Sequence, residues 1–214
     1  MTGDAWSARA QAYVESDAHR GGEDLDRLVE WAAGATTALD VATGGGHVAR
    51  RLREAGLEVV TCDAAPGMRP DVICRAESLP FADGAFDVVA CRTAAHHFAH
   101  LEAATREMAR VAGDRVLIVD TTYMGDEVEE AEALRDPSHV RNYTEAEWRS
   151  VVEGAGLSVD QLAFFAHTFD FAAWLERTGC EGAEAERVEA LLGERVTDGR
   201  LTLDKIAVRA VKGS

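Results

Sequence analysis

The chain has 214 residues and a mass of 23.0 kDa, enough for one full domain and short for two. Its 38 Asp and Glu residues outweigh 22 Lys and Arg, and the resulting net charge of −16 repels nucleic-acid phosphates and anionic lipid, so the sequence argues against both as partners. Hydrophobic residues make up 47% of the chain, an ordinary globular share, and a chain of this size buries about 70% of its extended surface without help from disulfides or metals. The four cysteines, Cys62, Cys74, Cys91 and Cys180, show no CxxC spacing, and three lie in apolar strand-like runs, which fits free thiols in a reducing compartment. The N-terminus lacks the apolar segment of a secretory signal, and no run approaches the ~18 residues of a membrane span. A cytoplasmic protein acting on small molecules is the expectation.

In chain order, Leu25, Leu28, Val29 and Ala32 recur at helical spacing behind Gly21-Gly22. Short β-prone runs follow at Ala38–Ala42, Glu58–Cys62, Asp71–Cys74, Phe86–Cys91 and Arg115–Asp120, and two longer ones lie at Ser158–Phe169 and Leu201–Val211. Helical patterns separate them at Val48–Ala55, Leu101–Val111, Thr144–Ala155, Phe171–Arg177 and Ala183–Arg195, and Thr144 with Glu147 forms a capping box. The alternation predicts an α/β fold with a Rossmann-like, doubly wound, seven-stranded and mostly parallel sheet, closed by an antiparallel hairpin. Only seven residues, including Pro66 and Pro70, separate Asp63 from Asp71, whereas a parallel crossover normally needs a dozen or more. The helix after the second strand is therefore predicted to be missing or reduced to one turn. A single domain over 1–214 is expected, with 1–34 as a covering segment, 35–120 as the cofactor-binding core and 121–214 as substrate-side loops and closing strands.

The first strand run enters Asp40-Val41-Ala42-Thr43-Gly44-Gly45-Gly46-His47, a glycine turn that lets backbone approach a ligand and presents amides at a helix N-terminus. Gly44-x-Gly46-x-x-Ala49 also satisfies the dinucleotide fingerprint, and Asp63 stands where a carboxylate accepts ribose hydroxyls in nicotinamide and nucleoside-cofactor proteins alike. Further along come Ala76-Glu77-Ser78-Leu79-Pro80-Phe81, then Ala94-Ala95-His96-His97-Phe98, then Arg106-Glu107-Met108-Ala109-Arg110-Val111. This ordered series resembles the class I S-adenosylmethionine (SAM) methyltransferases, in particular a small-molecule group similar to the ubiquinone and menaquinone C-methyltransferases. The likeness extends from about Tyr13 to Phe171.

The resemblance implies SAM as cofactor. It implies that Ala42, Thr43 and Gly44 line the methionine moiety, that Gly46 permits close approach and that Asp40 braces the loop. It places Asp63 on the ribose, Met68 against the adenine, the Ala76 amide at the adenine edge, and the Cys91 and Arg92 backbone at the amino-acid end. Two features depart from the family pattern. Arg75 stands where an acidic residue usually receives the adenine amino group, and arginine has only donors. The shortened 63–71 connection is the second, and both departures bear on the adenine side.

Methyl transfer from a sulfonium is an in-line displacement, in which a protein aligns the partners and removes a proton from a hydroxyl or activated carbon. His96 and His97 follow the fourth strand run at the carboxyl edge of the sheet and are the candidate bases; each could instead cap the strand or pack on Phe98. With His100 they lack a carboxylate at ligand spacing, and no metal site is expected. Tyr13, Ser16 and His19 in the N-terminal segment, and Arg135, His139 and Arg141 in a later loop, are candidate substrate contacts, although the arginines could simply pair with surface acids. Trp148 and Trp174 read as core, and the acidic run Asp126–Glu132 as an exposed helix face. The function expected is methyl transfer from SAM to an oxygen or carbon of a small molecule. The alternatives are a methyltransferase fold that binds or uses SAM without transferring a methyl group and, more weakly, an NAD(P)-dependent oxidoreductase. If the short 63–71 connection leaves Val59 and Val72 uncovered, a homodimer would bury them.

Overall fold

The computed structural model describes residues 20–213 together with Trp6, Ser7, Ala10 and Val14. Five strands run parallel: β1 (Thr37–Val41), β2 (Glu58–Asp63), β3 (Val72–Ile73), β4 (Phe86–Arg92) and β5 (Ala112–Thr121). Three more, β6 (Leu157–Asp170), β7 (Val196–Thr197) and β8 (Arg200–Lys212), pair antiparallel, and the order across the sheet is β3-β2-β1-β4-β5-β8-β6 with β7 attached to β8. The seven predicted runs are all strands, and the two-residue β7 is added to them. From Glu23 onward the helices are α1 (Glu23–Trp31), α2 (His47–Glu54), α3 (Leu101–Val111), α4 (Asp126–Arg135), α5 (Glu145–Gly154), α6 (Phe171–Glu176) and α7 (Gly182–Leu192). The Thr144–Glu147 capping box that starts α5 is formed in both directions.

Side chains alternate along a strand, so each apolar run feeds both faces of the sheet. Leu39, Val41, Val89, Cys91 and Ile118 turn to the face covered by α3 and α5, where Leu101, Met108, Trp148 and Val152 complete the packing. Ala38, Val88, Ala90, Leu117 and Val119 turn to the other face, beneath Leu25, Leu28 and Trp31 of α1 and Val48 and Leu52 of α2. A third cluster, built from Val128, Ala131, Phe171, Trp174, Val188 and Leu192, joins α4, α6 and α7 to Leu201 and Leu203 of β8.

Two sequence motifs prove to be halves of one clamp. Arg110 of α3 donates to the carbonyls of Phe81 (2.7 Å) and Leu79 (2.9 Å), and Glu107 accepts from the Leu79 amide (2.8 Å), so the 79–83 loop is tied to α3. After β2 the chain makes one 3₁₀ turn, Pro66–Met68, where a helix is absent as predicted. The uncovered face expected there is not found. Val59 packs against the α1 and α2 cluster and Val72 against the other, and Ser7 Oγ accepts from the Gly67 amide (2.9 Å). What remains open is Ile73, 60% exposed on the edge strand β3. Val59 and Val72 therefore need no second chain to cover them.

Candidate active site

The carboxyl ends of β1, β2 and β4 open into a cavity of about 420 Å³, where ligands bind in open α/β sheets. On the β1 side Ala42, Thr43, Gly44 and Gly45 line it, and Ala42 (φ 54°) and Gly44 (φ 52°) hold the left-handed backbone that turns the loop. The loop is braced from below by Asp40, whose Oδ2 accepts from Thr43 Oγ1 (2.6 Å) and from the Ala49 amide (3.1 Å) of α2. Burial pushes the Asp40 carboxyl up to about 6 against these hydrogen bonds.

Asp63, at the end of β2, lines the same cavity, with Oδ2 accepting from the Gly44 amide (3.0 Å) and Oδ1 from the Ala65 amide (2.8 Å). Burial raises its pKa, while the amides at Ala65 and Gly44 oppose the rise. Met68, Ala76 and Arg75 line the wall beyond it. Arg75 is directed to Glu77 (3.1 Å), which is itself mostly buried and lines the cavity, so an acceptor stands beside the position where arginine replaced one. Gly46 caps α2 and Cys91 is fully buried inside β4; neither reaches the cavity wall. Arg92 does, and its Nε lies 2.9 Å from Asp24 Oδ2, an oxygen that also receives Lys205 Nζ (3.0 Å). This buried group locks α1 to the end of β4 and the middle of β8. It holds the Asp24 carboxyl far below the usual range despite its burial, and burial brings Lys205 down to about 8.

Thr93, at φ 53°, turns the chain out of β4 into a 3₁₀ turn, Ala95–His97. Asp120 of the adjacent β5 meets this turn with both oxygens. Oδ2 accepts from the His96 amide (2.9 Å), and Oδ1 lies 2.5 Å from His96 Nδ1. Burial alone would lower the His96 pKa, but the charge and hydrogen bond of Asp120 outweigh it and hold the imidazole above its ordinary value. His97 behaves oppositely. Burial and the neighbouring His96, with ring centroids 4.0 Å apart, bring it down to about 3, which keeps it neutral. Its Nδ1 lies 3.1 Å from both the carbonyl and the hydroxyl of Ser138, and Trp6 packs edge-on against its ring.

A second, smaller chamber of about 60 Å³ lies behind these histidines and shares Thr93 and His97 with the main cavity. The structure brings Arg135 into this chamber and His139 into the main cavity. Arg141 reaches neither: it pairs with Glu147 (2.6 Å) over the Tyr143 ring at the surface. Tyr13, Ser16 and His19 lie outside the described residues. The reading of the acidic run needs correction. The acidic run of α4 is not simply solvated, since Glu132 is buried and accepts from Asn142 Nδ2, while Glu129 pairs with His139 (3.1 Å). Trp174 is packed as expected but also forms chamber wall. Asp120 and the Asp24–Arg92–Lys205 group were not singled out in the sequence. An acidic residue ending the apolar run Val116–Val119 was the available signal for Asp120, whereas the buried group joins residues too far apart in the chain to suggest each other.

The methyltransferase domain family matches residues 39–118. The uncharacterized methyltransferase YcgJ of Bacillus subtilis is 28% identical over 92% of this chain and 87% of its own, and its crystal structure superposes with a TM-score of 0.78 at 25% identity, covering 89% of this chain and 98% of that one. The uncharacterized protein YafE of Escherichia coli is 43% identical over 48% of this chain, a match spanning about half (53%) of YafE. A demethylmenaquinone methyltransferase of Beutenbergia cavernae is 36% identical over 38% of this chain and 39% of its own. Among the described residues, no helix is long and apolar enough to cross a membrane.

Proposed function

We propose that this chain, which resembles the class I methyltransferases and among them the quinone methyltransferases, transfers a methyl group from SAM to an oxygen or carbon of a small organic molecule. SAM supplies an electrophilic methyl group on a sulfonium. The reading is supported above all by the juxtaposition of two sites that share a wall: the strand-end cavity around Asp63 and Gly44, and the His96–Asp120 pair beside the smaller chamber.

The residues present fit an adenosyl ligand. A carboxylate anchored by two backbone amides, as Asp63 is, keeps lone pairs for the two ribose hydroxyls. A side chain at Gly44 would meet strained backbone at positive φ, so the turn stays bare beside the ligand. Glu77 is the carboxylate that would receive the adenine amino group, since Arg75 has only donors. Arg92 and Thr93 flank the amino-acid end.

For the chemical step, Asp120 fixes His96 with Nδ1 protonated, leaving Nε2 to take a proton from the acceptor. A pKa raised by Asp120 is the sense that favours accepting that proton, because the imidazolium formed stays paired. His97, held neutral, lines both cavities without adding charge. Alignment of donor and acceptor supplies most of the remaining acceleration. Four free cysteines accord with a reducing, cytoplasmic setting.

Calorimetric titration with SAM, S-adenosylhomocysteine (SAH) and NADH in parallel tests the proposal. Binding of both adenosyl ligands with none of NADH is expected; the reverse pattern would return the chain to nicotinamide chemistry. SAH release in an acceptor screen then separates methyl transfer from SAM binding without turnover.

A further inference from the structure

Four side chains that the methyl-transfer chemistry leaves unused meet where α4 faces the segment that follows it. Glu129 and Glu132 stand three apart on one side of the helix, and His139 and Asn142 come from the later segment. His139 Nε2 lies 3.1 Å from Glu129 Oε2. The Asn142 backbone amide donates to both Glu129 oxygens (3.0 and 3.2 Å), and Asn142 Nδ2 donates to Glu132. One ligand atom from each of Glu129, Glu132 and His139 lies within 4.8 Å of the other two, and among the described residues no other group of His, Cys, Asp or Glu converges in this way.

Two acids beside a histidine can be no more than a hydrogen-bonded staple, and Asn142 decides against that. It is fully buried, its side chain is turned into the cluster by the bond to Glu132, and its Oδ1 has no donor among the described residues. A buried carbonyl oxygen without a donor is costly, and a cation supplies what it lacks. A half-turn of the amide exchanges its oxygen and nitrogen and brings Oδ1 to the Glu132 side. Charge and donor type narrow the ion. Two carboxylates with a neutral imidazole match a divalent cation, and a mixed nitrogen and oxygen set suits zinc and its neighbours better than magnesium or calcium, which favour oxygen alone. Tetrahedral zinc with bonds of ~2.0–2.1 Å keeps its ligand atoms ~3.3 Å apart, so no pair here needs to close by more than ~1.5 Å, and Glu129 and His139 are already at 3.1 Å.

We propose that Glu129, Glu132, His139 and Asn142 bind one divalent transition-metal ion of the zinc type, which fastens α4 to the 139–142 segment. His139 lines the main cavity and Glu132 the smaller chamber, so the ion steadies a wall of each. Its role is structural, and it stands or falls independently of the methyl-transfer reading.

Chelator-treated full-length protein is titrated calorimetrically with Zn²⁺, Co²⁺, Mg²⁺ and Ca²⁺, and its thermal melting is followed with each ion. One equivalent of Zn²⁺ or Co²⁺ should bind with a Kd below ~10 μM and raise the melting temperature, while Mg²⁺ and Ca²⁺ bind at least ~10-fold more weakly. Glu132→Gln and His139→Gln should each weaken Co²⁺ ~10-fold or more, with their melting transitions reporting whether the variants are folded. Should a variant fail to fold, paramagnetic Co²⁺ added to the 15N-labelled unaltered protein locates the ion: the amides of Glu129, Glu132, His139 and Asn142 should be perturbed most. Failure of the unaltered protein to take up Zn²⁺ or Co²⁺, equal affinity in both folded variants, or perturbation centred on Cys62, Asp63 or His96 would overturn the site.

Discussion

Asp63→Ala offers a sharp test of the donor site because it needs no knowledge of the acceptor. In the structure the carboxylate is held by the Gly44 and Ala65 amides at 3.0 and 2.8 Å, one on each oxygen. It therefore approaches a ribose already oriented, and removing it deletes charge-assisted hydrogen bonds worth ~1.5–3 kcal/mol. At ~1.4 kcal/mol per decade, SAH affinity should fall ~10- to 150-fold. The fold should survive, since Asp63 ends β2 beside a water-accessible cavity and the two amides it leaves can be solvated. Asp63→Asn supplies the control: its single carbonyl oxygen replaces one amide contact and its amide group cannot accept from a hydroxyl, so SAH should weaken while the melting temperature stays closer to that of the unaltered protein. The assay is calorimetry with SAH alongside thermal melting of both variants. An unchanged dissociation constant in a folded Asp63→Ala protein would refute Asp63 as the ribose ligand.

Asp120→Asn should reduce turnover ~10²- to 10⁴-fold with little change in SAM affinity, because the amide group turned toward His96 Nδ1 reverses the tautomer; it should also move the rising limb of the pH–rate profile to lower pH, and an unmoved limb would show that His96 is not the base. For Asp40, a folded-state pKa of about 6 lies above that of the unfolded chain, so the folded protein retains a proton that the unfolded one releases, and its contribution to stability falls as pH rises to about 6 and then levels off. Asp40→Asn, whose one carbonyl oxygen can keep both bonds now made to Oδ2, should therefore gain melting temperature over the unaltered protein more at about pH 7.5 than at about pH 5; a difference independent of pH would contradict this. Trp148 is fully buried with an indole N–H that has no partner among the described residues, so Trp148→Phe should cost less than ~1.5 kcal/mol in urea unfolding, against ~3–5 kcal/mol for Trp148→Ala. Similar costs for the two would place the energy in the N–H rather than in the ring volume.

Most of the sheet could be read from residues close together in the chain. Val88, Val89, Ala90 and Cys91 announce a strand buried on both faces, and the seven residues between Asp63 and Asp71 dictate the lost helix. The glycine turn, Asp63 and the histidine pair were legible for the same reason: each sits at the end of an apolar run, and strand ends are where such folds bind ligands. What escaped the sequence depends on neighbours brought together by topology. Asp120 reaches His96 only because β4 and β5 are adjacent, and Asp24 meets Lys205 across 181 positions. Arg135 and Arg141 looked equivalent in the loop motif, yet one closes a chamber and the other forms a surface ion pair. Helical phase and tertiary packing decide between them, and neither is written in their immediate context.

The cluster that unites α4, α6 and α7 shares no buried residue with those on the two faces of the sheet. Donor handling is thereby quarantined from the far wall of the smaller chamber. A cooperative unit of this kind can loosen on its own while the sheet stays closed. A ligand could then enter by movement of α4, α6 and α7 while the packing on the two faces of the sheet stays intact.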